Sequence, residues 1–155
     1  RIQFVPLGDR TAHLRLLQDK LGKLLEMLPH TPFTALGLNF EWHVAPTDGD
    51  ISKLSRELFF NPSPLASSFE TPDARFGAYF SKDFEVFRLK LDIKPALISS
   101  PETEIEKLRF AFNFHQNVAS QDDVLSSLNE AIGLWDIARS AAKEIVDGTV
   151  VGVEA

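Results

Sequence analysis

The chain contains no cysteine in its 155 residues, so it can form no disulfide, no thiolate metal site and no cysteine nucleophile. It also lacks any run of about 18 apolar residues, the length that a membrane-spanning helix needs. The glycine-rich phosphate loops, the His-Glu-x-x-His zinc motif and the Gly-x-Ser-x-Gly serine elbow are missing as well. The sequence therefore carries no signature of the common nucleotide-binding, zinc-dependent or serine-hydrolase enzymes.

Basic residues are also in short supply. The chain has 16 Lys and Arg against 22 Asp and Glu, which gives a net charge of −6. Affinity for nucleic acid comes largely from clustered Lys and Arg, and no such cluster runs along this sequence. We therefore expect neither nucleic acid nor a membrane among the partners. The lack of cysteine fits a reducing compartment, so we expect a cytoplasmic location, although a chain without cysteine is also compatible with export.

Phenylalanine, by contrast, is abundant. The chain has 13 Phe against one Tyr, and 44% of its residues are hydrophobic, which is enough for a substantial core. At this length one domain is the natural count, so we expect residues 1–155 to form a single domain. Because the chain begins at Arg1 and its only methionine is Met27, we expect it to be a fragment or a trimmed product.

Two segments, residues 36–58 and 110–132, align with each other without a gap. Each consists of a strand pattern, a short acidic loop and a helix pattern, which predicts a domain built from two related halves. Seven aligned pairs are identical: Asn39/Asn113, Phe40/Phe114, Val44/Val118, Ala45/Ala119, Asp48/Asp122, Ser52/Ser126 and Leu54/Leu128.

Alternation of apolar and polar residues predicts the strands. Residues 35–44 and 107–118 alternate, so one side of each strand is apolar and the other polar. Residues 76–80 and 84–93 predict a hairpin that turns at residues 81–83 and ends at Pro95. Residues 149–153 predict a last short strand.

Two long helices are predicted, one before and one after these strands. The first runs to Leu28, and its leucines at heptad spacing favour packing on the sheet over a seam between subunits. The last begins near Ser120 and stops at Gly148. Residues 61–75 hold three prolines and no periodicity, which predicts a long surface loop.

Together these patterns predict an α+β domain, with an antiparallel sheet and long helices packed on one face. The order of elements is that of a ferredoxin-like fold made of the two related units. The hairpin within residues 76–93 leaves an alternative open, a meander of four or five strands backed by the two long helices. Both arrangements leave one polar face of the sheet open.

That polar face carries the candidate ligand-binding residues, which are Asn39, Glu41, His43, Asn113 and His115. If the two repeat strands are neighbours, the glutamate and the two histidines could form a facial metal triad, or a general base with its orienting carboxylate. The two matched asparagines could pair through their side-chain amides. A polar strand face that only meets water would explain the same residues.

We therefore expect a non-enzymatic module that associates with itself, as a homodimer, or with another protein partner through the open sheet face. We predict no cofactor and no metal for it. The alternative is a small-ligand-binding protein or a metal-dependent enzyme with its site on the same face.

Overall fold

A computed structural model describes residues 2–5, 10–28, 30–99 and 103–151 of the chain. The described residues form four β-strands, five α-helices and one 3₁₀ turn. The strands are β1 (Ala35–Val44), β2 (Ala78–Phe84), β3 (Phe87–Ser99) and β4 (Glu104–Asn117). The helices are α1 (Arg10–Met27), α2 (Ile51–Phe59), α3 (Pro64–Ser67), α4 (Val124–Gly133) and α5 (Trp135–Val151), with the 3₁₀ turn at Gln121–Asp123.

The four strands form one antiparallel sheet in the order β1-β4-β3-β2. Strands β2, β3 and β4 follow one another as a meander, and β1 lies outside β4. An α+β fold with an antiparallel sheet is therefore confirmed, whereas this topology does not confirm the ferredoxin-like arrangement or the two related halves. None of the helices among the described ranges is both long and apolar enough to cross a membrane.

The core lies on one side of the sheet, where the apolar rows of all four strands meet helices α2, α4 and α5. Strand β4 has a neighbour on each side, and its inward residues Leu108, Phe110, Phe112 and Phe114 are almost completely buried. Removing one such phenylalanine ring costs about 3–5 kcal/mol in a typical core. The apolar rows predicted from alternation are thus the rows that the helices cover.

Helix α1 packs against α4 and contributes no described side chain to the core on the sheet, rather than lying on the sheet as expected. Gln18 Nε2 donates a hydrogen bond to Asn129 Oδ1 at 3.0 Å across this contact. None of the described side chains of α1 is fully buried. Helix α1 therefore packs on another helix, and the core side of the sheet is covered by α2, α4 and α5.

The predicted hairpin turn at residues 81–83 is wrong. Strand β2 continues through these residues, and the turn is Glu85-Val86, which follows the Phe84–Phe87 pair. Polar residues are tolerated within β2 because it is an edge strand with one solvent-exposed side. Pro95 does not end β3 either. Strand β2 no longer pairs with β3 beyond Ile93, so Pro95 has a paired strand on one side only, and such an edge position tolerates the missing N–H of proline.

The last long helix is divided. Helix α4 ends at Gly133, and α5 begins at Trp135 and runs to Val151. Residues 149–151 are therefore helical rather than part of a strand, and residues 152–153 lie outside the described residues. Thr149 Oγ1 donates to the Ile145 carbonyl at 2.7 Å, so its hydroxyl is satisfied within the helix. Within residues 61–75, Ser63 caps the single-turn helix α3 by accepting a hydrogen bond from the Ala66 N–H.

Candidate functional site

The side of the sheet opposite helices α2, α4 and α5 is called the open face here. Its side chains alternate along each strand with the core residues and point away from the helices. All five predicted site residues lie on it. The open face includes Gly37, Asn39, Glu41 and His43 of β1, Lys107, Arg109, Ala111, Asn113, His115 and Asn117 of β4, Arg88, Lys90, Asp92 and Lys94 of β3, and Tyr79, Ser81 and Asp83 of β2.

The two matched asparagines lie directly opposite each other on β1 and β4. Asn113 Nδ2 donates a hydrogen bond to Asn39 Oδ1 at 2.8 Å, so the suggested amide pairing is present. In the same row across the sheet, Lys90 lies opposite Asn113 and Ser81 lies opposite Lys90. An amide side chain offers two donors and an acceptor oxygen with two lone pairs, so the pair retains hydrogen-bonding capacity toward solvent or a partner.

Glu41 is the centre of a three-residue cluster at one end of the open face. Arg109 Nη2 donates to Glu41 Oε2 at 2.5 Å, and His43 Nε2 lies 3.0 Å from Glu41 Oε1. The hydrogen bond from Arg109 is the main cause that holds the pKa of Glu41 below its usual value, against a smaller opposing effect of burial. The same hydrogen bond raises the pKa of Arg109. Glu41 is thus held as an anion.

His115 does not join this cluster. It lies opposite Gly37, and its Nε2 is 3.1 Å from Asn117 Oδ1. His43 lies opposite Arg109, and the distance along β4 from Arg109 to His115 is about 20 Å at about 3.4 Å per residue. The structure therefore brings Glu41 and His43 together, but His115 does not converge with them. Within the described part of the chain, no group of three or more His, Asp or Glu side chains is placed to hold a metal ion.

The open face is cationic, although the chain as a whole is acidic. It carries five Lys and Arg side chains against three Asp and Glu, whereas the whole chain has a net charge of −6. Ion pairs join Arg88 to Asp83 at 2.9 Å and Lys94 to Asp92 at 2.8 Å. Among the described residues, the ammonium groups of Lys90 and Lys107 have no acidic partner within the open face.

The partnership of Arg109 with Glu41 was not anticipated from the sequence. Both residues stand on polar rows, and their side chains meet because Glu41 and Arg109 lie on neighbouring strands, two residues off direct opposition. Diagonal neighbours of this kind lie within reach of long side chains once the register is known. The strand register decides that Glu41 meets Arg109 rather than His115, and the alternation of polar and apolar residues does not reveal that register.

No protein-family model matches the chain, and no curated protein and no solved structure matches it.

Proposed function

We propose that this domain is a non-enzymatic module that binds protein through the open face of its sheet, with a second copy of the chain as its partner. One observation carries the proposal. The open face is a continuous four-stranded surface on which most side chains are polar, and the covering helices α2, α4 and α5 all lie on the other side. An antiparallel sheet with one bare face can bury that face in an oligomer.

The dimensions of the open face suit a reversible association. Four strands spaced about 4.8 Å apart, with about ten residues of about 3.4 Å each, present roughly 600 Å². Two such faces bury roughly 1,200 Å² in total, at the lower limit of standard protein interfaces. We therefore expect a dimer with a dissociation constant in the micromolar range rather than an obligate one.

The surface chemistry supports a protein partner of mixed charge. Gly37 has no side chain and Ala111 has only a methyl group, so little protrudes from the open face at these positions and another sheet can approach closely. Charges of both signs stand beside each other, as at Lys94 and Asp92. A surface with both signs can complement a second copy of itself, and the unpaired ammonium of Lys90 is available to an acidic group of that copy.

The geometry gives less support to catalysis on the same face. A carboxylate with a lowered pKa is a weak general base, and Glu41 is such a carboxylate. His43 is hydrogen-bonded to Glu41, but no serine or threonine hydroxyl bonds to it among the described residues. The nucleophile–base pair that covalent catalysis requires is thus not formed there.

Sedimentation velocity across a concentration series tests the proposal. We expect reversible self-association that weakens at high salt, because part of the contact is ionic. Lys90→Glu places a carboxylate where Lys90 is proposed to pair with an acidic group of the second copy. The two negative charges repel each other, which should weaken the dimer by at least about tenfold. Lys82→Glu is the matched control, because Lys82 is a neighbouring lysine on the opposite side of the same sheet.

A chain that sediments as a monomer at every concentration up to the millimolar range would overturn the proposal. So would a dimer that Lys82→Glu weakens as much as Lys90→Glu does, since the contact would then not lie on the open face.

We further propose that the two similar segments, residues 36–58 and 110–132, are related by a local twofold axis through the asparagine pair. Their strands pair with each other, and Asn39–Asn113 is the one pair in that register that joins two matched residues. Helices α2 and α4 then leave the paired strands at opposite ends. An experimental structure in which the rotation that superposes the segments is far from 180° would contradict this symmetry.

A further inference from the structure

A groove opens on the other side of the sheet, where the helices leave β2 and part of β3 uncovered. It lies between α2, α5 and these two strands, and it has a volume of about 530 Å³. Its walls include Leu58, Phe59, Phe80, Leu91, Ile145 and Lys82. Pockets for small molecules commonly measure about 300–1,000 Å³ and have mainly apolar walls with few polar groups. The groove has both properties.

The apolar walls of the groove include side chains that no part of the described chain covers. Phe80 is 56% exposed although it belongs to the inward row of β2. Leu91, on the neighbouring strand directly opposite Phe80, is buried and forms the floor. Burying apolar surface releases about 25 cal/mol per Å², so an apolar molecule along this floor gains affinity from the ring of Phe80 in particular.

The groove contains one cation, Lys82. It lies opposite Leu89 in the register, so it belongs to the inward, helix-facing side of β2. Among the described residues, Lys82 forms no ion pair, whereas the neighbouring Asp83 on the open face is paired with Arg88. Among the described residues that line the groove, the only charged side chain is thus the cation Lys82, although the chain is acidic overall.

We propose that the groove binds an amphipathic carboxylate, that is, an unbranched or aromatic acid whose apolar body fits within the groove volume of about 530 Å³. The apolar body lies along Leu91 between Phe80 and Ile145, and the carboxylate pairs with the Lys82 ammonium at the rim. Among the described residues that line the groove, the apolar walls and the cation Lys82 together select this class over neutral lipids and over polar anions. The site is separate from the open face and does not depend on self-association.

A lysine that faces inward on an edge strand also has a protective role, because it discourages pairing with other edges. That role predicts no ligand, no preference for an acid over an alcohol and no effect of the aromatic wall. Binding measurements therefore distinguish a ligand-binding role of Lys82 from a purely protective one.

Isothermal titration calorimetry with decanoate, and with decanol as its neutral counterpart, tests the proposal on the whole chain. We expect decanoate to bind more tightly than decanol. Lys82→Gln should weaken decanoate binding about threefold to fivefold, as for a partly exposed ion pair, and should leave decanol unchanged. Phe80→Ala should weaken both ligands by about tenfold.

The sheet supplies matched controls on its opposite side. Lys90→Gln changes the same residue type on the open face, and Tyr79→Ala removes another exposed aromatic ring there, since Tyr79 is 63% exposed and Phe80 is 56% exposed. These variants should bind decanoate as the natural chain does. The proposal is overturned if decanoate does not bind at millimolar concentration, if decanol binds equally well, or if the open-face variants lose binding to the same extent. Because Phe80 and Lys82 are exposed, we expect their variants to fold, and circular dichroism checks this independently of ligand binding.

Discussion

Glu41→Gln offers a direct test of the charge cluster on the open face. The substitution keeps the size of the side chain and one acceptor oxygen, but it removes the negative charge that meets Arg109 and His43. We expect it to destabilise the fold at neutral pH, because the interaction of Arg109 with a carboxylate is stronger than with an amide.

The magnitude follows from the exposure of the two side chains. Arg109 is 31% exposed and Glu41 is 42% exposed, so water screens much of their attraction. Paired surface charges of this kind contribute about 0.2–1 kcal/mol. The good geometry and the second partner, His43, place the expected loss in free energy of unfolding at about 0.5–1 kcal/mol at pH 7.

The pH dependence has a defined sign. The pKa of Glu41 is lowered on folding, chiefly by the hydrogen bond from Arg109, so the folded state favours the ionised carboxylate. The resulting stabilisation is complete above the pKa of the unfolded chain, and it is lost as the pH falls through the lower pKa of the folded state. The difference between the natural chain and Glu41→Gln should therefore be largest near pH 7 and shrink in strong acid.

Urea denaturation followed by tryptophan fluorescence at neutral and acidic pH measures this difference. Glu70→Gln is the matched control, because Glu70 is exposed and forms no ion pair with another described residue. A loss at pH 7 no greater than that of Glu70→Gln would refute the reasoning. A loss that stays constant down to strong acid would refute it too.

Three further experiments test the fold. In a double-mutant cycle, Asn39→Ala and Asn113→Ala should show a coupling energy of about 0.5–1 kcal/mol, and strictly additive losses would show that their hydrogen bond adds nothing. Gly77→Ala should cost about 1–3 kcal/mol in thermal denaturation, because its Cβ would lie 2.3 Å from a backbone oxygen of β3, whereas Gly133→Ala, with open space around its Cβ, should cost nothing. Glu85→Gly should raise the melting temperature slightly, because Glu85 has a φ of 50°, and a lowered melting temperature would argue against strain at this turn.

The parts of the fold that depend on local periodicity could be predicted. Alternation along residues 35–44 and 107–118 placed Phe40, Phe112 and Phe114 on the core side, and the structure shows them packed together. The same alternation placed Asn39 and Asn113 on the polar side, where they pair. These features follow from the period of a strand, which any single strand displays by itself.

Features that depend on contacts between distant segments could not be predicted. Glu41 contacts Arg109 rather than His115 because of the register between β1 and β4, and alternation is the same for every register that keeps the faces. The β2–β3 turn was misplaced because Ser81-Lys82-Asp83 has the composition of a turn, whereas the actual turn at Glu85-Val86 contains no glycine or asparagine. The groove depends on how far α2 and α5 extend over the sheet, which no local pattern encodes.

The central proposal is that the open face is covered by a second copy of the chain, and the absence of cysteine allows a direct measurement. Ala111→Cys introduces a single thiol at the centre of the open face, and Ser140→Cys introduces one on the exposed side of α5. The initial rate of maleimide labelling is measured for each variant over a range of protein concentrations. We predict that labelling per thiol slows with rising concentration for Ala111→Cys and stays constant for Ser140→Cys. Rates for Ala111→Cys that do not change with concentration would contradict the proposed interface.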